Sequence, residues 1–314
     1  MSERSLRVLG TLACAISVLF VGAGRAAEKD RSDLEALGLK YQLRELKEPR
    51  PNRVHILRVD FSTGKIKPAV VVGKDPDGDG PAETALTNPL ELAGGPSVLA
   101  FINTNPWSSF PDKNGRKNSR WYEGQPVDIS GIAAFGGQIR SPAQASAASV
   151  WVDRRGRVRM DRVPGAGGKE EDVPEADRVA EAMAGFGPIV KAGVVVAAPG
   201  GSAHPRTAIG IDRSGMVMWL VVVDGRQKRF SEGMNLHELG RQMLELGCWN
   251  AMNMDGGGSS IMGLVSGKEG LRVVSSPSDR RLLRPRIRPL PMVLTIRKTK
   301  DPAATVKKEK SSTP

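Results

Sequence analysis

The stretch that decides the fold runs from Arg206 to Ser260: RTAIGIDRSGMVMWLVVVDGR (206–226), then NLHELGRQMLEL (235–246), then WNAMNMDGGGSS (249–260). Thr207 to Asp212 and Met216 to Val223, joined by Arg213-Ser214-Gly215, predict a β-hairpin. The second strand is an almost unbroken apolar run, the pattern of a strand buried on both faces. Asn235 then offers an N-cap, and Glu238 sits at the capping-box position. Leu236, Leu239, Met243, Leu244 and Leu246 give the following helix an apolar side, and Gly247 ends it. Trp249 to Met254 predicts a further strand. A strand–helix–strand connection predicts two parallel strands in one sheet. Asp224 and Asp255 would then share the sheet edge at which open α/β sheets bind ligands.

Outward from this block, Val54 to Val59 and Ile66 to Val72 predict strands around the turn Ser62-Thr63-Gly64, and residues 97–102 predict a buried strand ending at Asn103. Residues 73–83 carry Asp75, Asp77 and Asp79 in the manner of a calcium loop. The twelfth position is Leu86 where the loop needs Glu, so the pattern fails. Residues 141–148 predict a surface turn and 163–177 a flexible loop or insertion. The domain spans 53–298, preceded by a helical or linker segment over 27–52 and followed by a disordered basic tail over 299–314.

The N-terminus reads as an export signal over 1–26. Arg4 and Arg7 precede an uncharged run from 8 to 24, and Gly24-Arg25-Ala26 offers a cleavage site. The apolar run is short for a membrane span, so no span is expected after cleavage and the expected location is periplasmic or extracellular. Cleavage would leave Cys248 as the one thiol of two in the chain, which excludes an internal disulfide; its apolar setting reads as a buried small hydrophobe.

The formal net charge is +12. The leader carries +2 (Arg4, Arg7 and Arg25 against Glu3), the stretch from Arg297 carries +4 (six basic residues against Asp301 and Glu309), and the body between them the remaining +6. A basic body outside the cytoplasm points to anionic partners. No nucleic-acid motif is present. The three histidines, His55, His204 and His237, show no ligand spacing. No cofactor is required by the pattern, and a divalent cation, though compatible with it, is not indicated.

The candidate site centres on Asp255. Gly256, Gly257 and Gly258 allow positive φ and close backbone approach to a ligand. Their N–H groups could cradle an anion, with Ser259 and Ser260 adding hydroxyls. Arg206 and Arg226 lie at opposite ends of the hairpin sequence and so at one end in space. There they could grip a phosphate bidentately or close the sheet edge by pairing with the two Asp. Thr207 follows Arg206, His204 is a possible proton donor, and Asn103 ends a buried strand as the two Asp do.

HPRTAIGID (204–212), VVVDGR (221–226), NLHELGRQMLELG (235–247) and NAMNMDGGGSS (250–260) together resemble the phosphodiester glycosidase family, as do FINTNPW (101–107), GFGPIVKAGVV (185–195) and SSPSD (275–279). The resemblance covers roughly 54–296. It implies an α+β fold, a mixed β-sheet flanked by helices in a single catalytic domain, and hydrolysis of a sugar from a sugar-1-phosphodiester, releasing free sugar and a phosphomonoester. It implies catalytic roles for Asp255, Asp224 and Arg206, and binding roles for Asn103, Thr207, Arg226, Gly256, Gly257, Gly258, Ser259 and Ser260. Which Asp is nucleophile or base stays open, as does which of Arg284, Arg286 and Arg288 belongs to the site. The implied substrate is a phosphorylated glycan; the alternative is a non-catalytic polysaccharide- or envelope-binding protein.

Overall fold

The computed structural model describes residues 31–299 apart from 113, 119, 145–147, 165–173 and 283. The expected leader, the tail beyond residue 299 and most of the 163–177 loop lie outside the described residues. Twelve strands build two sheets: β1 (Leu39–Leu46), β2 (Asn52–Asp60), β3 (Ile66–Val72), β4 (Val98–Asn103), β5 (Gly187–Lys191), β6 (Val194–Val195), β7 (Arg206–Ile211), β8 (Val217–Val223), β9 (Asn250–Asn253), β10 (Met262–Ser266), β11 (Gly270–Val273) and β12 (Met292–Lys298). The first sheet has the order β1-β2-β8-β7-β9-β5-β6 and the second β11-β10-β4-β12-β3. A third sheet is made by Val158–Asp161, Ser149–Asp153, Val179–Met183, Ala133–Phe135 and Gln138–Ser141. α-Helix is confined, among the described residues, to α1 (31–37), α2 (Pro89–Leu92) and α3 (Leu236–Glu245).

The first sheet is buried on both faces, and β8 shows why its sequence is unbroken by polar residues. Met218, Leu220 and Val222 join one core with Leu57, Val59, Ile102, Met262 and Leu294, which lies between the first and second sheets. Trp219, Val221 and Val223 alternate with them and join a second core with Leu239, Met243 and Cys248. That second core is the seat of α3, where full burial of side chains such as Leu239 and Met243 contributes roughly 1.5–3 kcal/mol each. The capping box forms: Asn235 accepts from the Glu238 amide, and Glu238 accepts from the Asn235 amide. Gly240 costs the helix propensity but lets α3 settle closely, since a Cβ there would lie 2.8 Å from Val195.

The expected α+β fold does not hold. The chain forms several antiparallel sheets, with one helix of any length. The strands β8 and β9 do run in the same direction, but β7 lies between them and is antiparallel to both. The strand–helix–strand reading required them to be neighbours; the hairpin partner β7 takes that place. The third sheet adds to the β character because its strands are three to five residues long and carry too little periodicity to register as strands. The segment before residue 53 contributes α1 and then β1, which pairs with β2 along its whole length.

Candidate active site

Three chain segments meet at one end of the first sheet. Arg206 opens β7 opposite Val223 of β8. The turn Asp224-Gly225-Arg226 leaves β8, and the loop from Asp255 to Ser260 leaves β9. Pro205 lies where both loops cross: its carbonyl accepts from the Gly257 amide at 2.9 Å. A Cβ on Gly225 would fall 2.6 Å from the Pro205 nitrogen, and one on Gly256 2.9 Å from its carbonyl oxygen. These glycines are required by crowding. Gly257 is required by geometry too, with φ at 62°, and its Cα faces the Arg226 guanidinium.

Asp255 is half-buried. The surroundings of its carboxyl, rather than the outer edge of the residue, decide its protonation. Burial pushes it up to about 6, against the downward pull of a hydrogen bond from Ser259, the charge of Arg288 and the Gly256 N–H. Asn103 and Thr207 fix the loop from below. The Asn103 Nδ2 donates to the Asp255 carbonyl at 2.7 Å, and its Oδ1 accepts from Thr207 Oγ1 at 2.8 Å and from the Ile261 amide at 3.1 Å. Both residues are fully buried, so in this arrangement they position the loop.

The glycine-rich loop closes on itself. Gly256 N–H donates to Asp255 Oδ1, Ser259 N–H to the Gly256 carbonyl and Ser260 N–H to the Gly257 carbonyl. These amides are engaged within the loop and are not turned toward a common anion. The Ser260 hydroxyl is buried without a partner. Arg288 flanks the loop instead: it grips Asp279 bidentately at 2.8 and 2.9 Å and donates to Ser259 Oγ at 3.2 Å. Gly258 makes room for this pair, since a Cβ would sit 2.0 Å from both Arg288 and Asp279. Arg286 reaches the Trp121 carbonyl, and Arg284 is exposed. Arg288 is thus the one of the three that reaches the site.

Asp224 faces inward. It is 2% exposed, and both carboxylate oxygens are engaged: Oδ2 by His55 Nε2 at 3.0 Å and Oδ1 by the Ser276 amide at 2.8 Å. The other His55 nitrogen meets the Tyr41 hydroxyl at 2.9 Å. His55 and Tyr41 belong to no quoted motif, whereas Asp279 ends the SSPSD segment and Arg288 is one of the three arginines that the sequence leaves open. A signal for His55 does exist: it alternates with Val54 and Ile56 on β2, so it must point into the opposite core.

Arg206 and Arg226 form a cationic cluster with His204. Arg206 donates to the Met234 and Ser202 carbonyls. Burial, and then the charge of Arg226, lower its pKa. Burial and both arginines lower that of His204 as well. Among the described residues neither arginine has a carboxylate partner. Beside them, on the α3 face of the sheet, opens a cleft of about 420 Å³ lined by His204, Arg206, Ser202, Asn253 and Phe186 among others. Asp255 does not line it.

The profile of the phosphodiester glycosidase family matches residues 118–297. The chain belongs to this family. As a phosphodiester glycosidase, it resembles the catalytic domain of zebrafish N-acetylglucosamine-1-phosphodiester alpha-N-acetylglucosaminidase, solved in a form auto-inhibited by its pro-peptide. The TM-score is 0.59 at 18% identity, over 83% of each chain. It also resembles a hypothetical protein from Synechocystis, with a TM-score of 0.56 at 13% identity over 83% of this chain and 62% of that one. At these identities the likeness shows the fold. No curated protein matches the chain.

The remaining expectations concern residues away from this edge. Cys248 is buried, and burial pushes its thiol up to about 12, which leaves it unreactive. Asp75 accepts from the Asp77 and Gly78 amides and pairs with Arg140 at 2.5 Å, so that loop is closed by an arginine. No group of three or more His, Cys, Asp and Glu side chains converges among the described residues, and no helix among them is long and apolar enough to cross a membrane.

Proposed function

We propose that this chain is an exported hydrolase that releases a sugar, of the N-acetylglucosamine kind, from a sugar-1-phosphodiester in an envelope or extracellular glycan. The observation that carries the reading is the pair of guanidinium groups, Arg206 and Arg226, held close without a carboxylate partner among the described residues, with Arg226 facing Gly257 of the loop that Asp255 opens. Like charges brought together at a cost are the mark of a site for an anion. Family membership supports the hydrolase class, and the zebrafish protein's name suggests the sugar. Export rests on the leader sequence.

In this reading the phosphate of the diester lies on Arg206 and Arg226, which stabilise the charge that develops as it departs. Water supplies an oxygen to the anomeric carbon, the C1–O bond breaks, and its electron pair leaves on the phosphomonoester. Ionised Asp255 either takes the proton of the water or attacks C1 first. Asp224, with both oxygens engaged, holds the turn that carries Arg226. The stereochemistry of the released sugar separates the two roles of Asp255: inversion for a base, retention for a nucleophile.

The test is turnover of p-nitrophenyl and nucleotide sugar-1-phosphate diesters, with products identified by NMR. Free sugar and a phosphomonoester are expected. Release of a sugar phosphate and an alcohol would make the protein a phosphodiesterase and overturn the reading. Sugar binding without turnover would make it a polysaccharide-binding protein.

A further inference from the structure

The cleft on the α3 face contains a feature that the phosphate site does not use. Asn253, the last residue of β9, is 4% exposed, and its Oδ1 has no hydrogen-bond partner. A buried amide oxygen left unpaired costs about 1–3 kcal/mol, a cost that a hydrogen-bonding ligand group in the cleft would offset. Asn253 pairs with Ala208 of β7 and Gly187 of β5, which sets its side chain on the α3 face, as Arg206 is two residues before Ala208. The lining is mixed in chemistry: Arg206, His204, Ser202 and Asn253 are polar, and Pro188, Ala197, Ala198 and Leu236 are apolar.

At the mouth stands Phe186, a large aromatic side chain that is 66% exposed. Its backbone N–H donates to the Asn253 backbone carbonyl at 2.8 Å, so the two residues sit side by side, Phe186 immediately before β5 and Asn253 on β9. Small residues, Gly200 and Gly201 with Ala197 and Ala198, keep the cleft open. Its wall is anchored, since the Ala197 carbonyl is met by His237 Nδ1 at 2.9 Å.

An exposed ring beside a buried polar amide suits a ligand with an apolar face and a hydroxyl- or amide-bearing edge. A pyranose has that form: its C–H face lies on an aromatic ring while its hydroxyls seek fixed partners. We infer that the cleft is the sugar subsite, with Phe186 as the stacking platform and Asn253 as the residue that reads a hydroxyl or acylamino N–H of the ring. The inference rests on the proposed sugar-1-phosphodiester activity for the placement of the phosphate at Arg206, but its ligand can be tested alone.

Two variants decide it. Phe186→Ala changes an exposed residue and leaves the fold intact; Asn253→Ala is checked by circular dichroism first. Both should lower kcat/KM on a sugar-1-phosphodiester by about tenfold, the effect of one lost contact of this kind, while the inhibition constant of inorganic phosphate stays at the wild-type value. Wild-type kcat/KM in Phe186→Ala would overturn the subsite and leave the proposed activity standing. Should the wild-type protein cleave no diester, calorimetric titration with free N-acetylglucosamine, glucose and galactose decides separately. Binding lost in Phe186→Ala supports the subsite, and absence of binding by all three to the wild type overturns it.

Discussion

Replacing Asp255 by Asn should make the protein more stable and inactive at once. Asn keeps the shape of the side chain and an oxygen for the Gly256 N–H, and it removes the charge. Burial has raised the Asp255 carboxyl from 3.8 to about 6, so the folded state holds this proton more tightly than the unfolded chain does. Below about pH 4 both states are protonated and folding bears no penalty. As the pH rises through 6, the folded protein must ionise a group that the unfolded chain ionised earlier, and stability is lost. The difference between 3.8 and 6 is worth about 3 kcal/mol at roughly 1.36 kcal/mol per pH unit. The Asn variant is free of this cost. It should match the wild type near pH 3.5 and exceed it by about 3 kcal/mol at pH 8, or about 6–12 °C in Tm for a domain of this size. Calorimetric melts from pH 3.5 to 8 measure the first effect, and diester turnover the second. A stability difference that does not grow with pH would show that the carboxyl is not held protonated by burial, and retained turnover would remove Asp255 from the chemistry.

The same carboxyl sets a pH profile: kcat/KM should fall as the pH drops through about 6, and a profile flat to pH 4.5 would contradict an ionised Asp255 in catalysis. Arg206→Lys and Arg226→Lys should each cost about 1.5–3 kcal/mol in kcat/KM on the diester, because Lys keeps the charge and loses the fork. An aryl glycoside without phosphate should lose less, and equal losses would assign the arginines to the sheet edge. Gly258→Ala should displace the Arg288–Asp279 pair and destabilise by about 1–3 kcal/mol, as overpacking does; denaturant unfolding reads this directly, and an unchanged midpoint refutes it. His55→Leu should cost about 1.5–3 kcal/mol by leaving Asp224 Oδ2 without its donor, again read by unfolding.

The central block was legible because two independent signals agree there. The capping box of Asn235 and Glu238 fixes where α3 begins, and the apolar run over β8 can be satisfied only by burial on both faces. Strand order was not legible, since periodicity says which residues face a core but not which strand lies beside which. One interposed strand, β7, turns an expected parallel pair into two antiparallel ones. The short strands of the third sheet fall below the length at which alternation can be told from loop. At the site, Asp224 and Asp255 are alike in sequence, each following an apolar strand and preceding glycine. Their roles part only through side-chain direction: Asp224 turns toward His55 on the inner face, while Asp255 remains half-open above Asn103. Arg288 could not be separated from Arg284 and Arg286 because three alternating arginines give no preference until Asp279 is placed.

The position of β12 bears on the order in which the molecule can be made. Met292–Lys298 lies between β4 and β3 and bonds to both, so β3 is not joined to the rest of the second sheet until the ribosome has passed residue 298. Asn103 stands at the end of β4 opposite Val293, and it is Asn103 that clasps the Asp255 carbonyl. Asn103, which holds the candidate catalytic loop in place, therefore waits on the last of the described strands to be synthesised. Native closure here joins segments about 190 residues apart in the chain, a late and long-range step. A nascent chain of this sequence would carry all of Arg206 to Ser260 and still lack the frame that gives those residues their geometry.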